Sequence, residues 1–150
     1  MWSDIVQHAE QLHFLRLCFW GALSTLAGTF LLLVTITRQG GSNLLRGFGT
    51  LCAVFGAIEL MLGALDYRHV ALRDVSGATR LDRLAWLQLG LYLGVAAVGA
   101  TLAASTHRWR HRAGSDVQDA LPTMGAGLAI LLHGIALATL ELFLIADISR

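Results

Sequence analysis

The sequence contains no lysine; all eleven of its basic residues are arginine. Arginine and lysine serve equally at membrane edges, so we read this as genome composition rather than function. Charge of either sign is scarce. Charged residues make up 14% of the chain, against about 25% in soluble domains, too few to cover the surface of a soluble domain this size. The net charge of +1 leaves no basic stripe of the kind nucleic acid requires. The sole proline, Pro122, suits the first turn of a helix, where its missing N–H costs nothing. Two cysteines, Cys18 and Cys52, are the whole thiol supply. Both lie in apolar segments and are expected as small buried side chains. Their depths, about 13 Å to one side of the span centres and about 6 Å to the other, exclude a disulfide, whose Cα atoms must lie within about 7 Å.

What the chain has in quantity is apolar sequence, 55% of 150 residues with a mean hydropathy of +0.62. In a bilayer, lipid solvates the outer face and the shortage of polar surface disappears. Four stretches meet the length of about 20 apolar residues needed to span: Leu17 to Ile36, Gly47 to Leu65, Leu84 to Ser105 and Pro122 to Ala146. Each is bounded by charge, Arg16 and Arg38, Arg46 and Asp66, Arg83 and Arg108, Asp119 and Asp147. The first is too long for a signal peptide, and its flank carries Asp4 and Glu10 where a basic segment would stand. The expectation is a single all-α integral membrane domain, 1–150. Its four-helix bundle has spans at about 14–37, 45–66, 84–106 and 122–146. Ser3 to His13 forms a short interfacial helix with Ile5, Ala9 and Leu12 on one side, continuous with the first span or separate from it. Gln39-Gly40-Gly41-Ser42-Asn43 is a plain turn. Arg108-Trp109-Arg110-His111-Arg112 reads as a headgroup anchor.

Four spans put both termini on one side. A bacterial-type inner membrane is the expected location. The side is not assigned: Arg16, Arg68, Arg73, Arg80, Arg83 and Arg150 lie on the face with the termini, and Arg38, Arg46, Arg108, Arg110 and Arg112 on the other, too small a bias for the positive-inside rule.

Small residues recur at helical spacing in every span: Ser24 and Gly28; Gly49, Ala53, Gly56 and Gly63; Gly90 and Gly94; Gly127, Gly134 and Ala138. Helices in lipid pack through such residues, so all four stripes are expected to face inward. The second and fourth spans also resemble each other. Glu59-Leu60-Met61-Leu62-Gly63-Ala64-Leu65-Asp66 parallels Glu141-Leu142-Phe143-Leu144-Ile145-Ala146-Asp147, and Gly47, Gly49 and Gly56 parallel Gly125, Gly127 and Gly134, with slippage between the two matches. That suggests two tandem hairpins sharing one orientation, related by an axis along the membrane normal.

Ionisable residues inside a span are expensive and are functional candidates by default. At ~1.5 Å per residue, His133 lies near the span centre, and Glu59 and Tyr92 roughly 4–5 Å toward the termini. Gln88, Glu141 and Trp20 lie about 10 Å that way, with Arg16 and Asp66 at the edge. Polar groups from all four helices therefore gather in one half of the membrane, and Glu59, Tyr92, Gln88, His133, Glu141 and Arg16 form a candidate intramembrane site. One reading is structural: Glu59 hydrogen-bonds Tyr92, Glu141 pairs with Gln88 or Arg16, and the network fixes helix register. The other is a half-membrane cavity open toward the termini, where carboxylates exchange protons or hold a small ligand.

No catalytic or cofactor chemistry is expected. Haem in a four-helix bundle needs two axial histidines at matching depth, and only His133 is deep; His13 and His69, at roughly 20 Å from the centre, fall outside the hydrocarbon. His107 and His111 sit at i,i+4 but among arginines, which repel a metal. Phosphate loops, a GxSxG elbow and a CxxC pair are absent. The leading expectation is a non-enzymatic accessory, assembly or scaffold protein that packs against itself or a larger membrane complex, with the lipid bilayer as its other partner. The alternative is a small proton-responsive transporter or ligand-binding protein. A cavity reaching Glu59 would favour the second; an uncovered stripe of small residues would mark where a partner docks.

Overall fold

The computed structural model describes residues 2–37, 42–72, 74–113 and 117–149, with side chains described for 3–37, 42–72, 74–108 and 120–149. Four helices follow in order: α1 (Trp2–Thr37), α2 (Asn43–Tyr67), α3 (Val75–Ala113) and α4 (Val117–Ile148). Each is long and apolar enough to cross a membrane. Residues Arg38 to Gly41, Arg73 and Arg150, and the side chains of Trp109, Arg110, His111, Arg112 and Asp119, lie outside the described residues.

The N-terminal segment is not a separate interfacial helix; α1 runs unbroken from Trp2. Its inward face is also not the expected one. Val6, Ala9, Glu10 and His13 are buried and Ile5 is half exposed, so the i, i+3, i+4, i+7 stripe begins one residue later than the sequence suggested. Pro122 sits a turn and a half into α4. Its missing N–H leaves the Gln118 carbonyl without its helical donor, and its backbone packs on Gly47 of α2. Asp74 caps α3: its Oδ1 accepts the Gly77 N–H at 2.8 Å and its Oδ2 the Ser76 hydroxyl at 2.8 Å. Along the spans, hydroxyls that would otherwise face lipid unpaired donate to carbonyls one turn back, as Thr25 does to Gly21, Thr101 to Ala97 and Thr139 to Ile135, which meets the demand that every polar group in hydrocarbon be satisfied within the protein.

The two hairpins are built on one plan. In the first, a Cβ on Gly28 would collide with the Ala53 nitrogen and Gly49 carbonyl, and one on Gly56 with the Thr25 nitrogen. In the second, Gly99 meets the Leu131 nitrogen and Gly127 carbonyl, and Gly134 meets the Ala96 nitrogen. These contacts correspond pair by pair, at an offset of 71 residues in the first helix of each hairpin and 78 in the second. Across the hairpins, Gly47 packs on Pro122 and its counterpart Gly125 on Leu44. The α2·α4 contact is therefore self-complementary, about a local twofold axis parallel to the helices. The Glu59/Glu141 match runs instead at an offset of 82, about one helical turn out of step. The two carboxylates do not occupy equivalent places.

The symmetry breaks on either side of this α2·α4 spine. α1 packs against both α2 and α4, whereas α3 packs extensively on α4 alone. Where α1 closes one flank, a groove of about 550 Å³ stays open on the other, lined by Phe55 of α2, Gly90, Leu91, Gly94, Val95 and Val98 of α3, and Ile130 of α4. Not all the small-residue stripes face inward: among the described glycines of the spans, Gly90 and Gly94 alone meet nothing within 4 Å.

Candidate functional site

The polar half of the bundle is assembled by three helices. From α2, Glu59 is 6% exposed; from α4, His133 and Glu141 are each 2% exposed; from α1, Glu10 is 2% and His13 7% exposed. His133 Nδ1 lies 2.9 Å from the Ala129 carbonyl oxygen. A carbonyl only accepts, so Nδ1 carries the hydrogen and Nε2 is left to face Glu59, with Nε2 and Oε2 3.8 Å apart. The Trp20 and Phe55 rings flank the imidazole at 5.8 and 5.5 Å between centroids. Two turns further along α4, Glu141 Oε1 stands 3.6 Å from His13 Nε2. At the rim, Arg16 donates to Asp147 at 3.0 Å and lies over the Phe143 ring.

The expected pairings are replaced by others. Glu59 turns to His133, not Tyr92; Glu141 turns to His13, not Gln88 or Arg16. The reason is rotation about the helix axis. Gln88 lies on the exposed side of α3, and Arg16 reaches outward along α1 to Asp147. Tyr92 is half-buried on α3 and faces both carboxylates electrostatically without bonding either. A depth count from the span centre places His13 beyond the hydrocarbon, yet it is buried. α1 begins at Trp2 rather than near residue 14, so that stretch of helix stays packed on α4 and His13 is buried with it. The spacing Val6, Ala9, Glu10, His13 carried the signal, since these positions share one helix face.

Six side-chain atoms of this region are buried without a hydrogen-bond partner: His13 Nδ1, Trp20 Nε1, both Glu59 oxygens, His133 Nε2 and Glu141 Oε2. Buried polar atoms normally find partners, and these six lie along one seam. Among the described residues no group of three or more metal-binding side chains is arranged around a common point. The described cavities are lined by neither carboxylate nor by His133. The largest, about 630 Å³ between Asn43, Arg46 and Pro122, lies at the opposite end of the bundle. Cys18 and Cys52 are both free thiols.

Together the four apolar helices and the interior seam define the class, a small four-helix membrane protein. No protein-family model, curated protein or solved structure matches the chain, so its function is read from geometry alone.

Proposed function

We propose that the protein is a non-enzymatic accessory subunit, integral to the membrane with both termini on one side, that receives a transmembrane helix of a larger membrane complex in the groove between α2 and α3. The observation that supports this reading is the open Gly90–Gly94 face. Every other described glycine of the spans is met at close range by a neighbouring helix, most often by its backbone, and the floor beneath Gly90 and Gly94 is apolar from end to end. Small residues at i,i+4 are the means by which membrane helices come into backbone contact. The local twofold maps this groove onto the α1–α4 contact, so the face stands open where the repeated plan sets helix against helix. The transporter reading has less support, because Glu59 and Glu141 are enclosed and no described cavity leads to them.

A photocrosslinking side chain at position 94, introduced into the full chain in native membranes, tests this. Expected is a single adduct to a larger protein, absent when the crosslinker stands at Leu26 on the exposed side of α1 and lost when Gly90 is changed to Leu. Adducts to lipid alone would refute the proposal, and adducts only to a second copy would replace the partner complex with self-association.

A further inference from the structure

We propose that Glu59 and His133 form an intramembrane proton-binding site, holding one proton between Glu59 Oε2 and His133 Nε2, with the His13–Glu141 couple as its entry from the face bearing the termini. The inference does not depend on what occupies the α2–α3 groove. It starts from donors and acceptors. With Nδ1–H committed to the Ala129 carbonyl, a neutral His133 presents a bare lone pair at Nε2. An ionised Glu59 presents only lone pairs as well. Two acceptors then face each other across 3.8 Å in surroundings that leave all three atoms unpartnered. One proton resolves the conflict. A neutral carboxyl donates to Nε2, and the couple passes from a net charge of −1 to zero by taking up H⁺ from the aqueous phase. In a low-dielectric interior the neutral pair is favoured over an imidazolium–carboxylate pair, because separating charge without further hydrogen bonds costs more than it returns.

Groups from every neighbouring helix bear on the site. α1 contributes Trp20 edge-on to the imidazole, Cys18 near the Leu60 carbonyl and His13 further out. α2 contributes Cys52, within electrostatic reach of Glu59; α3 contributes Tyr92, within electrostatic reach of Glu59 and Glu141. α4 contributes Glu141. Arg16 is turned away to Asp147, so it does not neutralise Glu59. His133 and Glu141 lie on one face of α4 two turns apart, roughly 12 Å, and His13 carries the line of buried groups toward the rim. Beyond Cys52 the seam gives way to glycine-mediated packing at Gly49, Gly28, Gly99 and Gly127. The line of buried groups thus ends at Glu59, suited to loading a proton and not to passing one across the membrane.

Infrared difference spectra of the full chain in lipid vesicles, parent minus Glu59→Gln at neutral pH, provide the test. Expected is the carbonyl stretch of a protonated carboxylic acid, moved in D2O and absent from the variant. Identical parent and variant spectra in that region would overturn the proposal. Should Glu59→Gln fail to fold, His133→Gln serves instead: a shift of the acid band supports the pairing, and an unmoved band refutes it. Exchange of that band on transfer to D2O is expected to slow at least tenfold in Glu141→Gln. An unchanged rate would remove Glu141 and His13 as the entry.

Discussion

The sharpest test of the architecture is a matched pair of glycine substitutions, Gly21→Ala in α1 and Gly94→Ala in α3. The residues look alike in sequence, each a glycine in the middle of an apolar span. A Cβ on Gly21 would stand 2.5 Å from the Leu60 nitrogen and 2.7 Å from the Gly56 carbonyl oxygen. Those are backbone atoms and cannot swing aside as a side-chain tip can, so α1 and α2 must part by about 1 Å to restore ordinary contact, and overpacking of this kind costs about 1–3 kcal/mol. At 1.4 kcal/mol per factor of ten, the unfolded fraction rises about 5- to 150-fold. A Cβ on Gly94 meets nothing within 4 Å, so its cost stays within about 0.5 kcal/mol. Reversible unfolding of the purified protein in mixed micelles, followed by helix content, measures both. The reasoning fails if Gly21→Ala keeps the parent midpoint, or if Gly94→Ala loses as much as Gly21→Ala. Gly99→Ala, the twofold counterpart of a change at Gly28, is expected to behave like Gly21→Ala.

Three further outcomes follow from single contacts. Asp74→Ala removes the cap of α3, and faster amide exchange is expected at Ser76, Gly77 and Ala78 with the rest of α3 unchanged. The Gly77 N–H and the Ser76 hydroxyl hold the Asp74 carboxyl below its ordinary value. Because the folded value is the lower one, the cap is complete at neutral pH and is lost as pH falls through that depressed value, so the same amides should lose protection on acidification in the parent but not in Asp74→Ala. Arg16→Gln breaks an ion pair whose partners are 37% and 27% exposed; the loss should stay under about 1 kcal/mol and shrink further in salt. Cys52, 4% exposed, should resist a membrane-permeant maleimide until the bundle is unfolded, and oxidants should not join it to Cys18.

Much of the fold was legible in the sequence because bilayer thickness converts directly into run length. Spans of about 20 apolar residues between charged ends locate all four helices, and the glycine match between the second and fourth spans points to the duplicated hairpin. Element ends were less legible. Hydropathy marks where lipid begins, whereas a helix continues as long as its backbone bonds do, so α1 reaches Trp2 and α3 reaches Ala113. The site was legible in part. That Glu59, Glu141 and His133 gather between the span centre and the half nearer the termini followed from their depths along the helices. Their partners did not follow, since pairing depends on the rotation of each helix, and a few tens of degrees exchange Tyr92 for His133 and Gln88 for His13. The open face of α3 was hidden for the same reason: Gly90-xxx-Gly94 reads as a packing motif whether or not the chain itself supplies the other helix.

The repeated clasp has a consequence for how such a chain is made. Each hairpin carries its own antiparallel glycine contacts, Gly28 with Gly49 in one and Gly99 with Gly127 in the other, and each consists of two helices long and apolar enough to cross a membrane. A hairpin that is complete in itself can enter the bilayer as a unit, before its neighbour has been synthesised. The α2·α4 seam then joins two preassembled pieces, linked through the connection that precedes the Asp74 cap of α3. Cut there and co-expressed, the halves should find each other in the membrane.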